Sequence, residues 1–242
     1  MTTTRPSTAP GRRGTPRRRR RWWLYAGLGW AALGITLVAF IVQDLLSPTP
    51  GRLSLPRGAV SEAAAGPLSG TWTVGSGSEV GYRVHEVLFG LPHTAVGRTH
   101  RVTGTMTFSG AELVAADFRV QMASVLTNQA GRELMWRDYI MRTGTYPLAS
   151  FRLSQPIRLG SLPPVGKVVP VVATGRLTMR GVTRVVHFTI RGERVSAGAI
   201  DLNAEIPILF REWKIPNPSF AITRVSNTGT LEVLLHLGRS GR

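Results

Sequence analysis

The chain has 242 residues, 43% hydrophobic and 18% charged, so one folded domain with an apolar core is expected and disorder of the whole chain is excluded. It contains no cysteine, which excludes disulfides, thiolate catalysis, Cys-ligated zinc and iron–sulfur clusters. The formal net charge is +17, but residues 1–21 carry eight arginines and no acidic residue, which leaves 17 − 8 = +9 for the rest. We therefore do not interpret the basic excess as a binding signal.

The first predicted element is a run of 21 uncharged residues, Trp22–Val42. As a helix it would be roughly 31 Å long, close to the ~30 Å hydrocarbon thickness of a bilayer. Five arginines, Arg17–Arg21, precede it, and two tryptophans and a tyrosine stand at its start, where an interfacial aromatic belt belongs. We predict a single transmembrane helix over residues 22–46. The positive-inside rule puts the N-terminus in the cytoplasm and the C-terminal domain outside the cytoplasm, at the cell membrane.

Two alternatives to a membrane anchor are weaker. A cleaved signal peptide has an apolar core of roughly 7–15 residues and a small-residue cleavage site, whereas this run is longer and the small residues Ala63–Ala65 follow too far behind it. A buried core helix is disfavoured because this helix is apolar on every side and begins directly after five arginines.

Two flanking segments are predicted to lack regular structure. Residues 1–21, rich in Thr, Pro, Gly and Arg, form a disordered cytoplasmic tail whose arginines suit anionic lipid heads. Residues 47–68, rich in Pro, Gly, Ser and Ala, form a flexible stalk between the membrane and the domain that follows.

Residues 69–238 alternate between apolar and polar side chains, which is typical of strands with one face on a core and the other in water. In Val102–Ser109, for example, Met106 and Phe108 share one face and threonines occupy the other. About eight or nine short strands with glycine-rich turns predict an all-β fold, an antiparallel barrel or a sandwich. The one helix candidate is Asn128–Met141, which is loosely amphipathic.

The apolar faces of these strands supply a large set of side chains for an interior. A barrel of about eight strands is either filled by its own side chains or holds one apolar ligand, and both alternatives stay open here. The residues assigned to this interior, and to ligand contact if there is a ligand, are Met106, Phe108, Phe118, Val120, Met122, Phe151, Leu177, Met179, Phe188 and Phe210. Trp213 is assigned to a barrel end, where it caps the cavity, touches the lipid surface or packs.

Other chemistry finds little support in the sequence. His93 and His100 share a loop-like stretch, but their spacing matches no standard zinc pattern. No Gly-x-Ser-x-Gly elbow is present, and the acidic residues are scattered. Residues 69–238 contain 18 basic and 11 acidic residues, and the basic ones form no stripe interleaved with aromatics, so no nucleic-acid partner is expected.

Four segments of the domain match a known pattern in order. They are Ser124–Asn128, Arg137-Asp138, Tyr146–Phe151 with Tyr-Pro-x-x-x-Phe, and Gly175–Arg184 with Gly-x-Leu-Thr-x-Arg-Gly-Val-Thr-Arg. With them, residues 70–237 resemble the YceI-like family of lipocalin-like, polyisoprenoid-binding proteins, and the last segment is the most specific match. The Arg-Asp element has a second candidate, Arg132-Glu133, and neither pair is assigned a role.

The resemblance implies an antiparallel lipocalin-like barrel, with one short helix, that holds a long isoprenoid chain or similar amphiphile. The family is not known for a catalytic activity, so no enzyme and no cofactor are expected. Gly181 is expected to make a tight turn with positive φ. Arg180 and Arg184 flank that turn, either solvated or near a ligand head group. The predicted function is membrane-anchored lipid holding or transfer; the alternatives are a tethered protein-interaction module with a filled core and an uncharacterised enzyme.

Overall fold

The structure is a computed structural model that describes residues 25, 26, 28, 30, 48–56, 66–127 and 130–240. Apart from four helical positions, the predicted membrane segment Trp22–Val42 lies outside these residues, as does the predicted tail. Among the residues that are described, no helix is long and apolar enough to cross a bilayer. The membrane anchor therefore stays a prediction from the sequence.

Twelve β-strands lie within the described residues, and eight of them close into an antiparallel ring. The strands are β1 Gly70–Val74, β2 Glu79–Leu88, β3 Leu91–Thr99, β4 Val102–Ser109, β5 Glu112–Gln121, β6 Leu148–Leu153, β7 Ile157–Arg158, β8 Val168–Met179, β9 Val182–Arg194, β10 Ala199–Leu209, β11 Thr223–Val225 and β12 Thr228–Arg239. The ring runs β1-β4-β5-β6-β8-β9-β10-β12 and closes where β12 pairs with β1. The prediction of an all-β antiparallel barrel is confirmed.

The four remaining strands extend the ring. β2 pairs with the first half of β12, while β1 pairs with the second half, so β2 takes over the sheet at one end of the barrel. β3 and β11 both pair with β2, and β7 adds two residues to β5. These strands raise the total above the eight or nine expected from the alternation.

Short helical segments cluster at one barrel end. Helix α1, Ala130–Leu134, runs into a π-helical turn at Met135–Ile140, and 3₁₀ turns form at Met122–Ser124 and Phe210–Trp213. The helix predicted over Asn128–Met141 is therefore present in a shorter form. Because neighbouring strands are antiparallel, the β2–β3 and β8–β9 turns lie at this same end. We call it the helix end.

Several glycines allow close approaches within the barrel, and two of them, Gly97 and Gly181, lie against tyrosine rings. Tyr82 lies across Gly97 on the paired strand, where a Cβ would stand 2.3 Å from Tyr82 Cε1. Gly181 turns between β8 and β9 with φ of +74°, as predicted, and Arg180 beside it has φ of +49°. Tyr146 packs over that turn, and a Cβ on Gly181 would approach its ring to 2.6 Å. Any larger residue at either site would displace an aromatic ring.

Part of the segment predicted as a stalk lies on the outer wall of the barrel. Arg83 Nη2 donates to the carbonyl oxygens of Pro50 and Gly51 at 2.7 and 3.0 Å. Asn203 Nδ2 donates to Leu53 O at 2.8 Å, and Arg52 pairs with Glu205 at 2.8 Å. We call residues 50–53 the strap, because the partners named above lie on β2 and β10, and β12 runs between these two strands.

Beneath the strap lies a buried ionic cluster. Glu232 is completely buried, its Oε1 accepts a hydrogen bond from Arg83 Nε at 2.7 Å, and its Oε2 contacts the guanidinium of Arg98. Arg98 Nη2 also donates to the carbonyl of Gly51 at 3.1 Å. The strap thus supplies carbonyl acceptors to two guanidinium groups that share a single carboxylate.

Candidate functional site

The barrel interior contains a cavity of about 130 Å³. Inward positions of β2, β4, β5, β6, β8, β9, β10 and β12 line it, together with Met122, Val125 and Trp136 from the segment between β5 and β6, and its wall is almost wholly apolar. The apolar lining residues are Val80, Tyr82, Val102, Phe118, Val120, Met122, Val125, Trp136, Ala149, Phe151, Leu177, Met179, Phe188, Ile190, Leu202, Ala204, Ile206, Leu231, Val233 and Leu235. The interior is therefore not completely filled by the protein's own side chains.

A second cavity of about 60 Å³ lies towards the opposite barrel end. Leu68, Leu113, Ile157 and Val171 are among the residues that border it. Ile190 and Leu202 border both cavities, so these two side chains form the partition between them.

The residues predicted to contact a ligand divide into three groups. The main cavity is lined by Phe118, Val120, Met122, Phe151, Leu177, Met179 and Phe188. Met106 and Phe108 line the second cavity instead. Phe210 and Trp213 line neither; they are buried in the 3₁₀ turn at the helix end, and Trp213 is only 1% exposed. Among the roles considered for Trp213, packing is the one that this position allows, since its ring cannot reach a lipid surface.

A stacked aromatic pair borders the main cavity next to α1. The rings of Tyr82 and Trp136 are 4.5 Å apart between centroids and nearly parallel, at 11°. Trp136 Nε1 donates to Met122 O at 2.9 Å, which fixes the indole. Burial raises the pKa of the Tyr82 phenol from its usual value of 10.0 to about 12, because the phenolate loses hydration.

Alkaline titration should report this buried phenol. Below pH 10 the Tyr82 proton is held in both folded and unfolded protein, so this group leaves stability unchanged. Between pH 10 and about 12 the unfolded chain loses the proton and the folded chain keeps it, so the free energy of unfolding should fall, by up to about 3 kcal/mol. Denaturant unfolding of wild type and Tyr82→Phe across this range measures the effect, which the variant should lack. Equal pH dependence of both proteins would contradict the assignment.

A polar cluster joins α1 to the β2–β3 hairpin. His93 Nδ1 lies 2.8 Å from Glu86 Oε1, and Arg132 Nη2 donates to the same oxygen at 3.1 Å. Arg137 Nε donates to Ala123 O at 3.1 Å, and Asp138 is exposed. Both candidate Arg-acid pairs therefore include an arginine with a structural partner, and neither gains a functional role.

Two further sets of predicted residues have structural partners. Arg180 contacts the carbonyl of Lys214, and Arg184 Nε donates to Glu212 O at 3.1 Å, so both fasten the β8–β9 turn to the 3₁₀ turn at Phe210–Trp213. His100 Nδ1 lies 2.9 Å from Ser78 O. Within the described part of the chain, no group of three or more His, Asp or Glu side chains is placed to hold a metal ion.

Comparison with known domains identifies the barrel. A profile of the YceI-like domain matches residues 72–237, from β1 to β12. The chain belongs to the YceI-like family. The match covers more than half of the chain and includes every residue named above as lining the main cavity, so the YceI-like domain and the hollow barrel are the same unit.

Several solved structures are similar to this chain at low sequence identity. A polyisoprenoid-binding domain from Saccharophagus degradans is 18% identical with a TM-score of 0.56, over 71% of this chain and 99% of that one. BcnA of Burkholderia cenocepacia is 16% identical with a TM-score of 0.48, over 64% and 95%. The YceI protein of Campylobacter jejuni is 16% identical with a TM-score of 0.47, over 60% and 85%. The first likeness shows the fold. No curated protein matches the sequence.

Sequence reasoning missed about two thirds of the apolar wall of the main cavity. Tyr82 and Trp136 form the stacked pair, and Ile190 and Leu202 form the partition, yet none was assigned to the ligand site. Alternation placed Tyr82 with Val80 on one face of its strand, which was a usable signal for an inward position. Nothing comparable marks Trp136, because a short, irregular helical segment has no stable period to show which face is buried.

Proposed function

We propose that this protein holds or transfers an isoprenoid or a similar long-chain amphiphile inside its barrel. The observation that carries the proposal is the apolar cavity enclosed by a YceI-like barrel. Its wall is almost wholly apolar and offers few hydrogen-bond partners, so affinity should come from buried apolar area, at about 25 cal/mol per Å². Such a wall selects for a hydrocarbon chain over a polar metabolite.

The dimensions of the cavity set a condition on the ligand. A cavity of about 150 Å³ accepts a molecule the size of benzene, so the main cavity takes roughly one isoprene unit as it stands. A longer chain therefore requires the two cavities to join through movement of Ile190 and Leu202. Met122 and Met179, with flexible and polarisable side chains, provide further adjustable wall.

We also propose that the barrel is carried on a single-pass membrane anchor, with the domain outside the cytoplasm. The uncharged run Trp22–Val42 and the arginines before it support this arrangement. A tether confines the barrel to a thin layer beside the bilayer in which isoprenoid lipids reside. The tether therefore raises the effective concentration of the barrel at those lipids.

Extraction of the purified protein tests lipid binding. The full chain, purified in a detergent that preserves its fold, should release a prenyl lipid into organic solvent, detectable by mass spectrometry. Native mass spectrometry should show the matching adduct at about one lipid per chain, as expected for one barrel interior. Absence of any adduct from folded protein would contradict the proposal and would favour the tethered interaction module with a functionally closed interior.

A further inference from the structure

Two adjacent turns at the helix end expose large apolar side chains. The β2–β3 turn presents Phe89 and Leu91, which are 45% and 49% exposed, and the loop before β11 presents Phe220 and Ile222, which are 80% and 50% exposed. Large apolar residues grouped on a surface mark an interaction site more often than single exposed ones do. We call these four residues the apolar tips.

Backbone hydrogen bonds hold the two turns side by side. Phe89 N donates to Ile222 O at 3.0 Å, and β11 pairs with the end of β2 directly behind the turn. Phe220 and Thr223 exchange backbone hydrogen bonds of 2.9 and 2.7 Å, so the loop ends in a closed hairpin. The apolar tips therefore form one patch and not two unrelated turns.

The loop that carries Phe220 is internally braced. Asn217 Nδ2 donates to Val225 O at 2.9 Å and to Asn227 Oδ1 at 2.7 Å, while its Oδ1 accepts from Ser219 N at 2.8 Å. Ser219 Oγ in turn accepts from Val225 N at 2.9 Å. A loop fixed by side-chain hydrogen bonds on both flanks presents its aromatic tip outward in a set position.

The backbone at the tips adopts an uncommon conformation. Phe89 has φ of +50° and Ala221 has φ of +41°, in the left-handed region that residues with a Cβ rarely occupy. Such strain tends to persist at binding sites, where the surrounding structure holds it in place. At Phe89 glycine would relieve the strain but would remove the exposed ring.

The two stretches of chain that carry the tips contain no acidic residue, and Glu86, directly behind them, is bound by His93 and Arg132. Neither residues 87–111 nor residues 213–231 contain an Asp or Glu, whereas Lys214 and Arg224 are exposed in the second stretch. Arg224 pairs in register with Val87, which places its backbone directly behind the tips. An apolar patch with cations behind it complements a membrane surface, whose acyl region takes the aromatic rings and whose anionic head groups attract arginine and lysine.

We propose that the apolar tips dock the helix end of the barrel onto a bilayer that contains anionic phospholipid. The inference rests on the proposed lipid-binding function, which it extends by naming the surface that meets the lipid source. A bilayer suits the patch because its two convex turns can insert their side chains without needing a matching surface on the other side. A stable protein partner needs a continuous interface of roughly 1,200–2,000 Å², which two turn tips do not offer. The helical segment beside the patch is also apolar on its surface: α1 and its π-helical continuation expose Leu134, Met135 and Tyr139. Arg132 ties this segment to β2.

Site-specific fluorescence on the full chain tests this docking. The chain has no cysteine, so Phe220→Cys carries an environment-sensitive fluorophore at one defined position. Val172→Cys, at a 67% exposed apolar residue on the outer wall of β8, is the matched control. The protein is reconstituted into vesicles of phosphatidylcholine alone or with phosphatidylglycerol, and spin-labelled lipids serve as quenchers. Near-ultraviolet circular dichroism verifies that each labelled protein is folded.

Docking predicts a blue shift and quenching by spin-labelled lipid at position 220, stronger with phosphatidylglycerol and reduced by salt, with no change at position 172. Phe89→Ser in the Phe220→Cys protein should weaken the signal by roughly tenfold, since it removes a second inserting ring. An unshifted label in both vesicle types overturns the proposal. A blue shift that depends on protein concentration and not on vesicles also overturns it, in favour of contact between protein molecules.

The same samples separate this inference from the proposed function. If extraction still yields a prenyl lipid while the label at position 220 shows neither a blue shift nor quenching, lipid binding is supported and the proposed docking surface is wrong. If docking is observed but no lipid is recovered, the tips bind membranes for another purpose and the proposed cargo is wrong.

Discussion

Glu232→Ala should lower the free energy of unfolding by about 3–5 kcal/mol. Glu232 is completely buried on the outer side of β12, between the guanidinium groups of Arg83 and Arg98. Removing the carboxylate leaves two positive charges beneath the strap, with the carbonyls of Pro50 and Gly51 as their remaining acceptors. Uncompensated buried charge is among the largest single-residue penalties known for folded proteins.

Glu205→Ala provides the matched control for this prediction. Glu205 lies opposite Glu232 in the β10–β12 register, also on the outer wall, but its ion pair with Arg52 is solvent-exposed. An exposed pair contributes less than about 1 kcal/mol, so this variant should unfold almost as wild type does. Denaturant unfolding followed by tryptophan fluorescence gives both values. Equal destabilisation by the two substitutions would show that the buried ionic cluster contributes no more to stability than the exposed ion pair does.

Ala204→Phe should abolish lipid binding while leaving the barrel folded. Ala204 borders the main cavity on β10 and is only 2% exposed, with Ile190 and Val233 beside it in register. A phenyl ring is about the size of the molecule that such a cavity accommodates, so the new side chain occupies the space meant for ligand. The lipid recovered per chain should fall by at least roughly tenfold, since a filled cavity offers no apolar area to bury.

Two control variants make the Ala204→Phe result interpretable. Ala204→Val fills the cavity partly and should give an intermediate lipid content. Val172→Phe adds an aromatic ring on the outer wall, where Val172 is exposed, and should leave the lipid content unchanged. The thermal midpoint of each variant reports folding. A folded Ala204→Phe protein with a full lipid load would place the ligand outside the main cavity.

The strands were the most predictable feature of this protein, because apolar and polar residues alternate along them in the sequence. In a half-buried strand, apolar and polar residues alternate with a period of two, so Val102–Ser109 and the Val186–Arg191 part of β9 could be recognised locally. Gly181 was also predictable from its immediate neighbours, because a tight turn with positive φ favours glycine at that one position. Strands off the ring, such as β7 and β11, are too short to show any period.

The candidate site was less predictable because cavities depend on side chains from distant strands. Alternation was enough to predict that Phe118 and Met179 point inward. That they line one cavity while Met106 lines another depends on how far Ile190 and Leu202 reach across the interior. Alternation also gives Glu232 the same outward position as any solvated residue. Its burial results from the strap, more than 170 residues earlier in the chain, folding over it.

By itself, therefore, the sequence determined the all-β class, the apolar and polar faces of the strands and the family motif around Gly181. These are properties of short segments, in which each residue's neighbours along the chain set its environment. The tertiary structure alone decided the closed ring, the partitioned cavity, the ionic cluster under the strap and the joining of two turns into one apolar patch. Each of these brings together residues far apart in the chain, and only packing in three dimensions sets which of them meet.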